Sequence, residues 1–229
     1  MIQIYLLRHG ETRFNVEEIV QGWNDSPLTK LGLYQAKCCG YGLKDTAFTI
    51  AFSGDAPRQI KTAETFMQEN VNPCKIIADY HFREMRYGKY EGRSYKEMLD
   101  PLFRMHHEEY CGHTDLYRYY NDIEIGNMLL ERDETGTFEG AENAWERLSE
   151  GLTKICEEYK EGNILISTSS YAICTILYHL FSELKQHGFV KNASITVLSF
   201  NGSFHLLEYD NVEYRKAGEN HYPFYGDKK

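Results

Sequence analysis

Ile2-Gln3-Ile4-Tyr5-Leu6-Leu7-Arg8-His9-Gly10-Glu11-Thr12 decides the fold by the change of character at Arg8. The run from Ile2 to Leu7 is almost continuously apolar, as in a strand buried on both faces. A guanidinium, an imidazole and a glycine follow it. Open α/β sheets bind ligands at the carboxyl ends of their strands, so these residues stand where such a protein keeps its chemistry. Arg8 offers a bidentate donor suited to phosphate oxygens, and Gly10 leaves room for close approach. His9, when unprotonated at one nitrogen, is a competent nucleophile toward phosphorus.

Outward from this stretch, strand-like runs recur at Thr49–Ser53, Lys75–Ala78, Asn163–Thr168 and Ser194–Phe200. They alternate with helical patterns, which points to a three-layer α/β sandwich with a mostly parallel central sheet and helices on both faces. Thr29 precedes a helix reaching about Tyr41, Pro57 suits the first position of another, and Ala141–Tyr159 reads as a long one. Ser203–Tyr209 adds an antiparallel edge strand, with Asn201-Gly202 as the hairpin turn. Between about Ser94 and Glu139 the alternation stops, and aromatics and histidines crowd together, among them Phe103, His106, His107, Tyr110 and His113. An insertion of this length is expected to be helical and either to cover the active site or to form a satellite core. The expectation is a single domain over residues 1–229, with residues 94–139 inserted as a cap.

The 229 residues carry 25 lysines and arginines against 34 acids, a formal charge of −9. That balance disfavours a nucleic-acid or anionic-membrane partner. No apolar stretch has transmembrane length and no signal-type core follows Met1, so a cytoplasmic protein is expected. The 6 cysteines show neither paired metal-site spacing nor the density of a disulfide scaffold, and reduced thiols are expected. Neither a metal nor a cofactor is implied, and the oligomeric state is left open.

Two further segments carry chemistry. In Phe52-Ser53-Gly54-Asp55-Ala56-Pro57-Arg58 a strand end runs into a helix start, whose backbone donors attract anions and to which Arg58 adds a guanidinium. In Phe82-Arg83-Glu84-Met85-Arg86-Tyr87-Gly88-Lys89-Tyr90-Glu91-Gly92 a carboxylic acid follows a strand. Held near an attacking histidine, Glu84 could protonate a leaving oxygen and later activate water.

With Asn15, the stretch Gln21-Gly22-Trp23-Asn24-Asp25-Ser26-Pro27-Leu28-Thr29, Gly32 and Gln35-Ala36, these segments resemble the histidine phosphatase superfamily along nearly the whole chain. Its branches include phosphoglycerate mutases and broad phosphomonoester phosphatases. The resemblance implies a two-step phosphoryl transfer in which His9 becomes phosphohistidine and then passes the group to water or to a second substrate oxygen. It makes Glu84 the proton donor and assigns phosphate binding to Arg8, Asn15 and Arg58. Gln21 and Gly22 become second-rank substrate contacts.

One departure stands out. The family's second histidine normally lies in a stretch reading V-T-H-G-G-V-I-R, where it contacts the transferring phosphoryl oxygens, and this chain reads Ser167-Thr168-Ser169-Ser170-Tyr171-Ala172-Ile173-Cys174 there. Ser169 takes the place of the histidine and Cys174 that of the arginine. Losing one such donor costs on the order of a hundred- to a thousand-fold in rate. Ser169 keeps a neutral hydroxyl, and His106, His107 or His113 are candidate replacements. After the acidic residue, mutases tend to read Y-G-x-x-Q-G-L-N-K, whereas here Ser94 and Tyr95 replace the last two. The expected activity is therefore phosphatase action on a small phosphorylated metabolite. The alternatives are a mutase primed by a phosphorylated cofactor, and a degenerate member that binds a phosphorylated ligand with little turnover.

Overall fold

The computed structural model describes residues 1–181 and 189–224. Strands β1 (Ile2–Arg8), β2 (Phe48–Ser53), β3 (Ile76–Ala78), β4 (Gly162–Thr168), β5 (Ile195–Phe200) and β6 (Phe204–Asn211) form one six-stranded sheet in the order β3-β2-β4-β1-β5-β6. The first four in that order run parallel, and β5 and β6 are antiparallel to their neighbours. The α/β class and each expected strand are thus present, within one or two residues of the boundaries read from the sequence.

The reversal of β5 was not legible in the apolar run, and it has a local cause. Ala193 N–H donates to the Arg8 carbonyl at 3.1 Å and Arg8 N–H to Ser194 O at 3.2 Å. The chain has therefore already returned to the carboxyl end of β1 when β5 begins, and β5 can only run back along it.

Helices cover both faces because the strand side chains alternate. On one face Ile2, Ile4, Leu6, Ile164 and Ile166 pack against α6 (Ala141–Glu158) and α7 (Ser170–Leu180). On the other, Tyr5, Leu7, Ala51 and Leu165 meet side chains of α2 (Lys30–Gly42) and α3 (Pro57–Met67). A C-terminal helix, α8 (Glu213–His221), packs on α2. The helix starts follow their sequence signals: the Thr29 hydroxyl accepts from Gly32 N–H at 2.9 Å, and Pro57 opens α3.

Residues 94–139 hold α4 (Tyr95–Phe103), α5 (Asp122–Leu130) and two 3-10 turns at Arg104–His106 and His113–Arg118. Met98, Leu102, Phe103, Leu116 and Leu129 pack with Met85, Tyr87 and Tyr171 into a core separate from the two that sandwich the sheet. No helix among the described residues is long and apolar enough to cross a membrane.

Candidate active site

In-register pairing of β1 with β4 sets Arg8 beside Thr168, and His9 N–H continues the ladder to Thr168 O at 2.9 Å. His9 and Ser169 therefore leave adjacent strands side by side. The turn after His9 is held tightly: Gly10 N–H donates to the Thr62 hydroxyl at 3.1 Å, and a Cβ on Gly10 would overlap the Gly32 carbonyl of α2. Glycine is required at both positions, because a Cβ on Gly32 would in turn overlap the Glu11 carbonyl.

His9 is buried, with 4% of its surface exposed. Its Nδ1 lies 2.8 Å from Gly10 O. A carbonyl only accepts, so Nδ1 carries the proton and the lone pair sits on Nε2. Burial, then the positive charges of Arg58 and Arg8, hold its pKa well below the ordinary histidine range. The ring is neutral and nucleophilic at physiological pH.

Arg58, with its side chain fully buried, donates from Nη1 to Asn24 O and Asp25 Oδ1, both at 2.9 Å, and from Nη2 to Gly22 O at 2.7 Å. Arg8 donates from Nη1 to Val190 O. The Nε–H groups of both arginines are buried without any partner. Orphaned guanidinium donors are costly, and here two of them belong to cations that act on His9.

Glu84, 5% exposed, follows the 3-10 turn Tyr80–Phe82. Its Oε1 accepts from Met85 N–H at 2.8 Å and Ala172 N–H at 3.0 Å, and Oε2 from Tyr171 N–H at 3.1 Å. The carboxylate thus occupies the first turn of α7, the helix start that follows Ser169. Burial pushes its pKa up to about 6, against the opposing pull of these N–H donors and of Arg58 and Arg8. Arg147 of α6 fixes the segment from behind, donating to His81 O at 2.7 Å, Arg83 O at 3.1 Å and Glu84 O at 3.3 Å while paired with both oxygens of Glu139. Glu91 ties the two flanking loops together, accepting from Tyr87, Trp23 and Asn24 N–H at 2.9, 2.8 and 2.7 Å.

The other sequence candidates fall as follows. Asn15 accepts from Thr12 N–H at 3.1 Å, capping the short helix α1 (Arg13–Val16), and from Asn192 Nδ2 at 3.2 Å. Asn192 also donates to the His9 carbonyl at 3.0 Å, which keeps Asn15 at the margin of the site. Gln21 is spent on Thr12 at 2.7 Å and Ser26 at 3.2 Å, so its side chain braces the loop whose Gly22 carbonyl anchors Arg58. The Ser169 hydroxyl, wholly buried, accepts from Gln59 Nε2 at 2.8 Å. His106 stacks on Tyr119 with ring centroids 3.7 Å apart, and His107 sits in a left-handed turn. His113 stacks on Tyr95 at 5.0 Å, and its pKa is lowered by burial, with Arg8 among the further contributors.

Sequence reasoning missed Gln59, Arg147, Asn192 and the cation anchor Val190, because each acts through contacts distant along the chain. Glu91 lay inside a quoted motif without an assigned task, and Thr62 lay just beyond the one that ends at Arg58. Among the described residues no cluster of His, Cys, Asp or Glu could hold a metal ion.

A doubly covered α/β sheet whose first strand ends on a buried, neutral histidine flanked by guanidinium groups defines a class of phosphate-handling proteins. The family model of the histidine phosphatase superfamily (branch 1) matches residues 4–212, and the chain belongs to that superfamily of phosphatases and mutases. It is 42% identical over 96 residues to fructose-2,6-bisphosphatase TIGAR of Xenopus tropicalis, covering 41% of this chain and 35% of that protein. It is 41% identical over 93 residues to the probable phosphoglycerate mutase GpmB of Proteus mirabilis, covering 41% of this chain and 42% of that protein. The chain thus aligns with less than half the length of these curated relatives. The crystal structure of a phosphoglycerate mutase from Bacillus anthracis is similar over 95% of this chain and 96% of that one, with 28% identity and a TM-score of 0.87.

Proposed function

We propose that the chain is a phosphomonoester hydrolase that works through a phosphohistidine at His9 on a small phosphorylated metabolite. The observation that carries the reading is the pair of buried, unpartnered Nε–H groups of Arg8 and Arg58 beside a neutral His9. An anion held by those donors presents its phosphorus to the Nε2 lone pair. In the first step the N–P bond forms and the ester P–O bond breaks, and Glu84 gives its proton to the departing oxygen. In the second, the Glu84 carboxylate takes a proton from water as that water attacks phosphorus, and the N–P bond electrons return to His9. Ser169, polarised by Gln59, supplies a neutral hydroxyl where the family has a second imidazole. Residues 94–139 act as the cap that encloses the leaving group.

Rapid quench of the protein with a good phosphodonor tests this reading. Acid-labile phosphate on wild type and none on His9→Ala is the expected result, and equal hydrolysis by both overturns it. The likeness to the Bacillus anthracis phosphoglycerate mutase supports a second reading, transfer to another substrate oxygen. Dependence of turnover on a bisphosphate primer would favour it. Tight phosphate binding without labelling would favour a binding protein.

A further inference from the structure

We propose that the leaving group this site accepts carries a primary ammonium, so that its substrate is a phosphorylated amino alcohol; this rests on the reading of the site as a phosphomonoester hydrolase. The basis is a cavity of about 30 Å³ walled by Met85, Tyr87, Tyr95, Tyr117, Tyr171 and Asp122. Met85 and Tyr171, which line it, also hold the Glu84 carboxylate through their backbone N–H groups, so the cavity lies beside the residues that seat the proposed acid.

Asp122 is the anomaly in this wall. It is 8% exposed, takes the Tyr117 hydroxyl on Oδ1 at 2.5 Å and is hydrogen bonded by the Cys174 thiol. Burial raises its pKa to about 6, which still leaves it ionised at neutral pH. No lysine or arginine pairs with it among the described residues, and none lines the cavity. The start of α5 supplies only a fraction of a unit charge, and buried carboxylates without a cation are rare. His113, also in the wall, is kept neutral by burial and does not fill the role.

Tyrosine faces are the complement a cation wants. Tyr87 and Tyr171 stand edge to face with centroids 6.3 Å apart, and the acidity of both hydroxyls is suppressed by burial and then by Glu84 and Asp122 together. Both carboxylates therefore act on the same pair of tyrosines. A short alcohol whose oxygen is protonated by Glu84 places an ammonium a few bonds away against Asp122. The volume is on the order of two or three waters, which favours a small ammonium over a bulkier trimethylammonium.

The test compares 2-aminoethyl phosphate with propyl phosphate, in which a methyl replaces the ammonium, and with phosphocholine. Wild type is expected to favour the aminoethyl ester by ten-fold or more in kcat/KM over both. In Asp122→Asn the ratio to propyl phosphate should fall toward one. Calorimetry of the same esters on His9→Ala protein reads the preference without turnover and without altering Asp122. Equal affinities of aminoethyl and propyl phosphate there, or equal kcat/KM in wild type, overturn the inference. If wild type forms no phosphohistidine and hydrolyses nothing, the assigned reaction fails, while the binding ratio still decides the ligand class.

Discussion

Replacing Glu84 by glutamine separates proton donation from every other task of that side chain. The amide keeps the shape and retains an acceptor for Met85 and Ala172 N–H, but its nitrogen then faces Tyr171 N–H, which Oε2 now satisfies at 3.1 Å. One lost buried bond costs about 1–3 kcal/mol of stability, a fall in Tm of roughly 2–4 °C per kcal/mol for a chain of this size. The catalytic loss is larger and selective. Hydrolysis of alkyl phosphates, whose leaving oxygen needs a proton, should drop about a hundred- to ten-thousand-fold, while nitrophenyl phosphate should lose far less. The wild-type pH profile supplies an independent check. With the Glu84 pKa at about 6, the proton is present on about a tenth of molecules at pH 7 and on about nine-tenths at pH 5. The kcat/KM for alkyl phosphates, which reports the empty site, should therefore rise about ten-fold on acidification from pH 7 to pH 5, because His9 stays neutral there, and should fall as pH climbs through 6. Steady-state assays of the two ester types, across pH and in both proteins, provide the data. Equal loss on both esters in a folded Glu84→Gln protein, or a flat wild-type profile, refutes the assignment.

Arg58→Lys keeps the charge but gives up the fork that spans Gly22 O, Asn24 O and Asp25, and should raise the KM for any phosphomonoester ten-fold or more, read from initial rates. Gly32→Ala drives a methyl into the Glu11 carbonyl and should cost about 1–3 kcal/mol in denaturant unfolding while lowering phosphohistidine yield. Asp122 has a folded pKa above its unfolded one, so its contribution to stability is present at low pH and lost as pH rises toward about 6. In calorimetry Asp122→Asn should therefore raise Tm at pH 8 and have little effect at pH 4. Ser169→His alone must displace the Gln59 amide and should gain nothing, whereas Ser169→His with Gln59→Ala makes room and should raise turnover about ten-fold.

The strands were legible because buried runs such as Ile2–Leu7 and Asn163–Thr168 are apolar along their whole length, and Thr29 and Pro57 announce their helices by local chemistry. What stayed hidden depends on contacts distant in sequence. Nothing in Ser194–Phe200 tells that the chain returns at Ala193 to the Arg8 carbonyl, which fixes the direction of β5. The position of Glu84 on the first turn of α7 joins residues 88 apart. Asn121 and Glu124 form a capping box that marks the start of α5, yet the enclosure of Asp122 by Tyr87, Tyr117 and Tyr171 arises only when three segments meet.

The seat of Glu84 on α7 makes its affinity for a proton depend on what else the site holds. Burial pulls it up and the N–H donors and arginines pull it down, leaving the balance at about 6. In the proposed mechanism, arrival of a phosphate dianion would screen Arg8 and Arg58 from the carboxylate, so that occupancy itself would load the acid when a leaving oxygen needs it. Once the alcohol had gone with that proton, the bare carboxylate would rest on three N–H groups, ready to accept from water. The site thereby keeps its own time, with substrate charge winding the donor and the helix terminus releasing it.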